Sequence, residues 1–344
     1  MIKRILYISL FATILIFGYL LFTRANFDQN NSIKSSKSFQ ETQTLRVAYG
    51  EWPPDLIVYL AKNKGFFEKN NLNVELVKIS GFDELFELID KNEIDIWPVT
   101  LLDSVIALNE NKDWSIFLLE DFSAGADALI TYPDSGIKEI SDLKGRTVGV
   151  ETETVGEFFL AILLERENLT LNDINIINLS FDAIPQALKD GIIDAGMTYE
   201  PSITESLEDG AVVVVDSQKE SGVIVDVFAS YKQNLEENRI AYIKFSNAIL
   251  EASDFFANNP EESIEIMKIP FNNSNEELAN AFEKLVIPDY KDNVLAFNRA
   301  SGYKSLYILG KQAEQYLEEQ GIITPTGHLE SLFSSVIEYV DNTQ

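Results

Sequence analysis

The chain contains no cysteine. That excludes disulfides, thiolate nucleophiles, iron–sulfur clusters and thiolate zinc sites together. Its single histidine, His328, excludes the usual hydrolytic triads and multi-histidine metal centres, and reads as a surface residue near the last helix. Basic residues are scarce: 27 Lys and Arg against 55 Asp and Glu give a formal charge of −28. Nucleic acid is thereby disfavoured as a partner, because few cations are available to displace phosphate counterions. What is present is a chain of 344 residues, 46% hydrophobic and 11% aromatic, enough for roughly two domains with sizeable cores. Disordered and fibrous readings fall with that composition.

Lys3 and Arg4 precede an uncharged apolar run from Ile5 to Phe22. This is the pattern of an export segment, longer than a usual signal core of about 7–15 residues and at the spanning threshold of about 18. Residues 1–25 are therefore either a signal peptide cleaved after Ala25 or a retained transmembrane helix serving as anchor. In both cases Lys3 and Arg4 stay inside. The body then lies in the periplasm or on the extracytoplasmic face of the inner membrane. Residues 26–44 are polar and poor in hydrophobics, which reads as a flexible linker.

From Leu45 onward short apolar strands alternate with helical stretches. Strands are expected at 45–50, 73–79, 94–99 and 115–121, and helices after Pro53-Pro54, at 82–91 and at 100–111. The same grammar restarts at 145–152, with a helix at 155–167, a strand at 174–179, a helix at 182–190, and strands at 192–197 and 211–215. Such alternation predicts parallel βαβ units. Helical periodicity dominates later, in 239–257, 260–268, 275–286, 303–320 and 328–340. A local repeat links the two halves: ELIDKNEIDIW (87–97) and ALKDGIIDAGM (187–197) both end a helix at Asn92 or Gly191, then open a strand with Ile-Asp.

Four segments match a known group in order: AKNKGFFEKNNLNVELV (61–77), LIDKNEIDIWP (88–98), ISDLKGRTVGV (140–150) and QALKDGIIDAGMTYEP (186–201). Together they resemble the solute-binding proteins of ABC importers, in the nitrate/sulfonate/taurine and thiamine-precursor group. The resemblance implies an α/β fold of the two-lobe type II periplasmic-binding-protein kind, with ligand in the cleft and two hinge crossings. The crossings are expected near Leu129–Asp134 and Ile224–Tyr231, making lobe one 45–130 plus 228–344 and lobe two 131–227. It also implies a permease and an ATPase as partners, a small-molecule ligand, a monomeric body, and neither catalysis nor a cofactor or metal. The thiamine-precursor synthases of the group carry a cysteine cluster and a substrate histidine, so a chain without cysteine and with an export segment departs from that branch.

Ligands of open α/β sheets sit beyond the carboxyl ends of the strands. Those ends supply the candidate ligand-binding residues Glu51, Trp52, Asp83, Trp97, Thr100, Phe122 and Ser123 from one half, and Glu151, Thr152, Thr154, Tyr199, Glu200 and Asp226 from the other. None of these segments contains Lys or Arg, whereas anion sites usually combine helix N-termini with a cation. Carboxylates and aromatic faces suit a cationic or neutral nitrogen-containing organic ligand, with a planar or methylated group, better than a sulfonate or nitrate. A distant cation reaching the cleft, such as Arg299 or Lys232, would reverse that preference. Two alternatives stand beside this reading: a membrane-tethered sensory module, and an anion binder of the same group. Trp114 is expected to fill core.

Overall fold

A computed structural model of the protein describes residues 44–220, 222–302 and 305–337. The expected signal or anchor segment 1–25, and the linker up to residue 43, lie outside them. Among the described residues no helix is long and apolar enough to cross a membrane.

Two sheets organise the body. In the first, β1 (Thr44–Tyr49) runs parallel to β2 (Asn73–Lys78), and Val47 bridges to Ile96 just ahead of β3 (Trp97–Thr100). From β3 the sheet continues through β10 (Val225–Tyr231) to β4 (Trp114–Ser123) and β11 (Leu285–Val286). The second sheet has the order β7 (Asn175–Asn178), β6 (Thr147–Val150), β8 (Ala195–Tyr199), β5 (Asp127–Thr131), β9 (Val212–Asp216). Apolar residues divide between the faces of each strand as the period of two requires. On β10, Val227 and Ala229 enter one core while Phe228 enters the other. In the second sheet Gly149 and Gly196 are register partners, and a Cβ on Gly149 would stand 2.8 Å from Ile184, so the missing side chains let helix Ile184–Lys189 press onto the sheet.

The expectation of purely parallel units is corrected. β10 is antiparallel to both β3 and β4, and β5 is antiparallel to both β8 and β9. Each of these strands enters its sheet from the other one, so it runs against the local direction. The chain changes sheet between Ser123 and Asp127 and again between Asp216 and Val225, upstream of the expected crossings. Residues 129–131 and 225–231 of those segments are apolar enough to pair as strands, leaving the turn to Gly125, whose φ of 125° suits a residue without a side chain. Helix 275–286 proves shorter, ending at Phe282 because Leu285 and Val286 pair with the edge of β4. Within the described part of 328–340 only a tight 3-10 turn forms at Leu329–Leu332.

The repeat seen in the sequence has a shared physical role. Asn92 and Gly191 both take left-handed backbone, with φ of 55° and 67°. The aspartate that follows clasps a strand of its sheet, β1 in one case and β6 in the other. Asp95 N–H donates to Arg46 O while its Oδ2 accepts Arg46 N–H, each at 2.8 Å. Asp194 repeats both bonds with Thr147, also at 2.8 Å. Asp95 takes two further bonds from the Arg46 guanidinium, at 2.9 and 2.8 Å. Replacing Asp95 by Ala strips a charged acceptor from three donors, which should cost about 2 kcal/mol; urea unfolding of Asp95→Ala against the parent, compared with exposed Asp90→Ala as a near-neutral control, checks this.

Candidate functional site

Where the two sheets meet, carboxylates converge. Asp121 on β4 and Asp226 on β10 are register partners, and Asp226 also faces Thr100 on β3. Glu120 precedes Asp121 and lies beside Asp55, which sits in the tight turn at Pro53–Asp55. From the second sheet Asp127 opens β5, one crossing loop away. Glu120 is 5% exposed, Asp121 1% and Asp127 6%. Strand pairing drives these acids inward, since their neighbours Leu119, Phe122, Val225 and Val227 all belong to the core.

Few donors meet them. Asp55 Oδ2 accepts Gly50 N–H at 2.5 Å, Asp121 Oδ1 accepts Trp52 Nε1–H at 3.2 Å, and half-buried Asp103 accepts the Thr100 hydroxyl at 2.6 Å. Both oxygens of Glu120, Oδ2 of Asp121, Oδ2 of Asp127 and Oδ1 of Asp226 are buried with no hydrogen-bond donor. Burial disfavours the charged form, and neighbouring acids add repulsion. Burial thus pushes Asp55 up to about 7 and Asp103 to about 6. For Asp121 and Asp127, burial and then nearby carboxylates raise the values to about 8 and about 6. Glu120 and Asp226 are raised well above the carboxylate range for the same two reasons.

Aromatic rings close over this cluster. Trp52 meets Tyr199 of the second sheet edge-on, with centroids 5.8 Å apart at 88°, and Tyr199 in turn meets Phe181 at 4.8 Å. Glu151 Oε2 accepts Phe181 N–H at 3.1 Å. Burial first, then Asp182, Asp127, Glu151 and Glu51, push the Tyr199 hydroxyl up to about 12.

The structure sorts the sequence candidates into three kinds. Trp52, Thr100, Tyr199 and Asp226 gather at the cluster, with exposed Glu51 beside Trp52. Glu151 joins through Phe181. Ser123 and Glu200 lie at the crossing and both act on Asp127: the Ser123 hydroxyl is 2.7 Å from that of Ser217, while Glu200 N–H donates to Ala126 O and its carboxylate pairs with Lys284. The others have local roles. Thr154 caps helix Val155–Arg166 by accepting Gly156 N–H at 3.3 Å, and Thr152 N–H donates to Asn178. Asp83 is exposed in the first turn of helix Phe82–Asp90. Phe122 is buried in core. Trp97 is a correction: β3 begins rather than ends there, and the ring is fully buried against Trp114 and Tyr231 at 5.1 and 5.4 Å. Trp114 is core as expected and His328 is exposed.

Sequence reasoning missed Asp55, Asp103, Glu120, Asp121, Asp127, Phe181 and Lys284. The available signal was acid inside apolar strands: SIFLLEDFSAGADALI carries three carboxylates among residues otherwise apolar or small. The cation reaching the junction is Lys284, held by Glu200; Arg299 pairs with Glu330 on the surface, and Lys232 starts helix Lys232–Glu237. Among the described residues no group of three or more His, Cys, Asp or Glu is arranged to hold a metal ion.

A family model described as NMT1/THI5 like matches residues 52–263. The chain belongs to that family. A Brachyspira hyodysenteriae protein named as an ABC transporter periplasmic binding protein is 26% identical over 250 residues, 66% of this chain and 69% of the relative. The 4-amino-5-hydroxymethyl-2-methylpyrimidine phosphate synthase of Aspergillus parasiticus is 24% identical over 225 residues, 60% of this chain and 64% of that one. In structure, the periplasmic aliphatic sulphonate binding protein SsuA of Escherichia coli matches with a TM-score of 0.72 at 17% identity, over 84% of this chain and 91% of that one. The fold of the NMT1/THI5-like chain is thus the periplasmic-binding-protein fold that its four sequence segments implied.

The raised carboxyls fix a sign for pH dependence. A carboxyl of about 4 in the unfolded chain and 6–8 in the folded one binds its proton more tightly when folded. Its contribution to stability is complete below about pH 4 and is lost as pH rises through the folded value. The melting temperature without added ligand should therefore fall between pH 5.5 and pH 8.5, and Asp121→Asn, which carries no charge at either pH, should flatten that fall. Calorimetric scans of both proteins at the two pH values check the slope.

Proposed function

We propose that this family member is an exported solute-binding protein that captures a cationic or neutral nitrogen-containing organic molecule between its two lobes and delivers it to an ABC permease. The observation that carries the reading is the set of buried carboxylate oxygens without donors on both sides of the sheet junction. A cation with N–H groups would supply donors to these oxygens and favour their charged form in place of the protons they hold, whereas an anion would oppose it. Trp52 and Tyr199 would give an aromatic wall for the cation, at about 0.5–2 kcal/mol per well-placed ring.

Admission of a ligand requires the Trp52 and Tyr199 rings to part, and the two crossings near Gly125 and Ser217–Ile224 are the places where the chain can pivot. Binding then favours the closed form because the ligand touches both lobes. No bond is made or broken in this mechanism. The Brachyspira relative's name supports the extracytoplasmic location and the ABC partners. Lobe one comprises the first sheet with the C-terminal helices, and lobe two the second sheet. The body acts as a monomer.

A second reading, an anion binder, is favoured by the likeness to the sulphonate binding protein. Isothermal titration of the purified protein with organic amines, thiamine and pyrimidine precursors, against taurine, alkanesulfonates and nitrate, separates the two. Amine or heterocycle binding should lose at least tenfold in affinity in Asp121→Asn and in Trp52→Ala. Tight taurine or nitrate binding with none from the nitrogenous compounds would overturn the proposal.

A further inference from the structure

The acids at the junction fall into two groups, joined by the aromatic rings. The inner group, Glu120, Asp121, Asp127 and Asp226, has five carboxylate oxygens buried without a donor. The outer group is Glu151 and Asp182 from the second sheet's loops. Glu151 is linked to the inner group through a chain of contacts: Trp52 Nε1–H bonds Asp121, the Trp52 ring meets Tyr199, and Tyr199 meets Phe181. Phe181 N–H bonds Glu151 and Asp182 follows Phe181 directly. An apolar bridge therefore separates two groups of carboxyls.

Resting on the cation reading above, we infer that the ligand is a dication: two N–H-bearing cationic groups on an apolar stem, one at Asp121 and Asp226, the other at Glu151 and Asp182, with the stem along Trp52 and Tyr199. The donorless oxygens choose the kind of head group. A primary ammonium or guanidinium offers N–H donors to them, while a quaternary ammonium offers charge without donors and leaves them unpaired. This narrows the earlier preference for methylated groups. The rings suit the stem, because methylenes pack on aromatic carbon while the head groups at either end reach the carboxyls. Burial first, and then acids of both groups, Asp182 and Glu151 on one side and Asp127 on the other, raise the Tyr199 hydroxyl.

Calorimetric titration of the full chain tests the inference with 1,4-diaminobutane, 1,5-diaminopentane and agmatine, against 1-aminobutane, choline and taurine. A diamine should bind at least tenfold more tightly than 1-aminobutane. The double variant Glu151→Gln, Asp182→Asn should remove the advantage of the diamines over 1-aminobutane, with an unchanged far-UV circular dichroism spectrum confirming the fold. Equal affinity for monoamine and diamine, choline binding more tightly than every diamine, or no binding of any diamine overturns the dication. Those results leave the cation reading standing wherever 1-aminobutane or choline binds. Taurine binding with no amine binding sinks both.

Discussion

The register between β10 and β4 sets Asp226 opposite Asp121, and most features of the site follow from that pairing. Side chains opposite one another in an antiparallel pair are held at close range, so like charges there cannot drift apart as they would on a loop. The flanking residues Leu119, Val225 and Val227 are core, which denies water to the pair. Glu120 extends the same problem one residue along the strand, with Asp55 of the Pro53–Asp55 turn beside it. Native folds have only about 5–15 kcal/mol in hand. A knot of unpaired acids persists in such a fold where something outside the chain completes it.

Much of this architecture was legible in the sequence. Apolar period and punctuation located β1, β2, β4, β6, β7 and most helices to within a few residues, because each is decided by local pattern. The Ile-Asp repeat even exposed a tertiary bond: the aspartate clasp on Arg46 recurs on Thr147. Sheet membership was not legible. An apolar stretch such as 225–231 reads the same whether it links two lobes or pairs inside one of them, and only the partner strands decide. Trp97 was misplaced for a related reason. Trp-Pro resembled a strand end, but the isolated bridge at Ile96 starts the pairing there and carries the ring into the core.

The site itself was half legible. Aromatic and acidic residues at the ends of β8 and β10 pointed to the junction, and Trp52, Tyr199 and Asp226 are there. The inner acids were hidden by their own surroundings, since acid within an apolar strand looks like a strand edge until the sheet closes over both faces. Asp55 was masked by Pro53 and Pro54, which announced a helix start. Lys284 arrives from 84 residues beyond Glu200 and no local pattern could announce it.

Lys284 is also joined to the crossing loop, since Ala124 N–H donates to its carbonyl oxygen at 2.8 Å. One residue thus spans the joint: its backbone belongs to one sheet's edge, and its ammonium grips a buried acid of the other. A joint fastened by charge at its axis swings about a fixed line instead of sliding, so the mouth and not the axis registers what lies inside. Under the proposed function, a guest of opposite charge held among the inner acids would favour the shut posture. A permease that docks only on the shut posture would on this account read cargo rather than carrier, and empty copies would not waste its cycle.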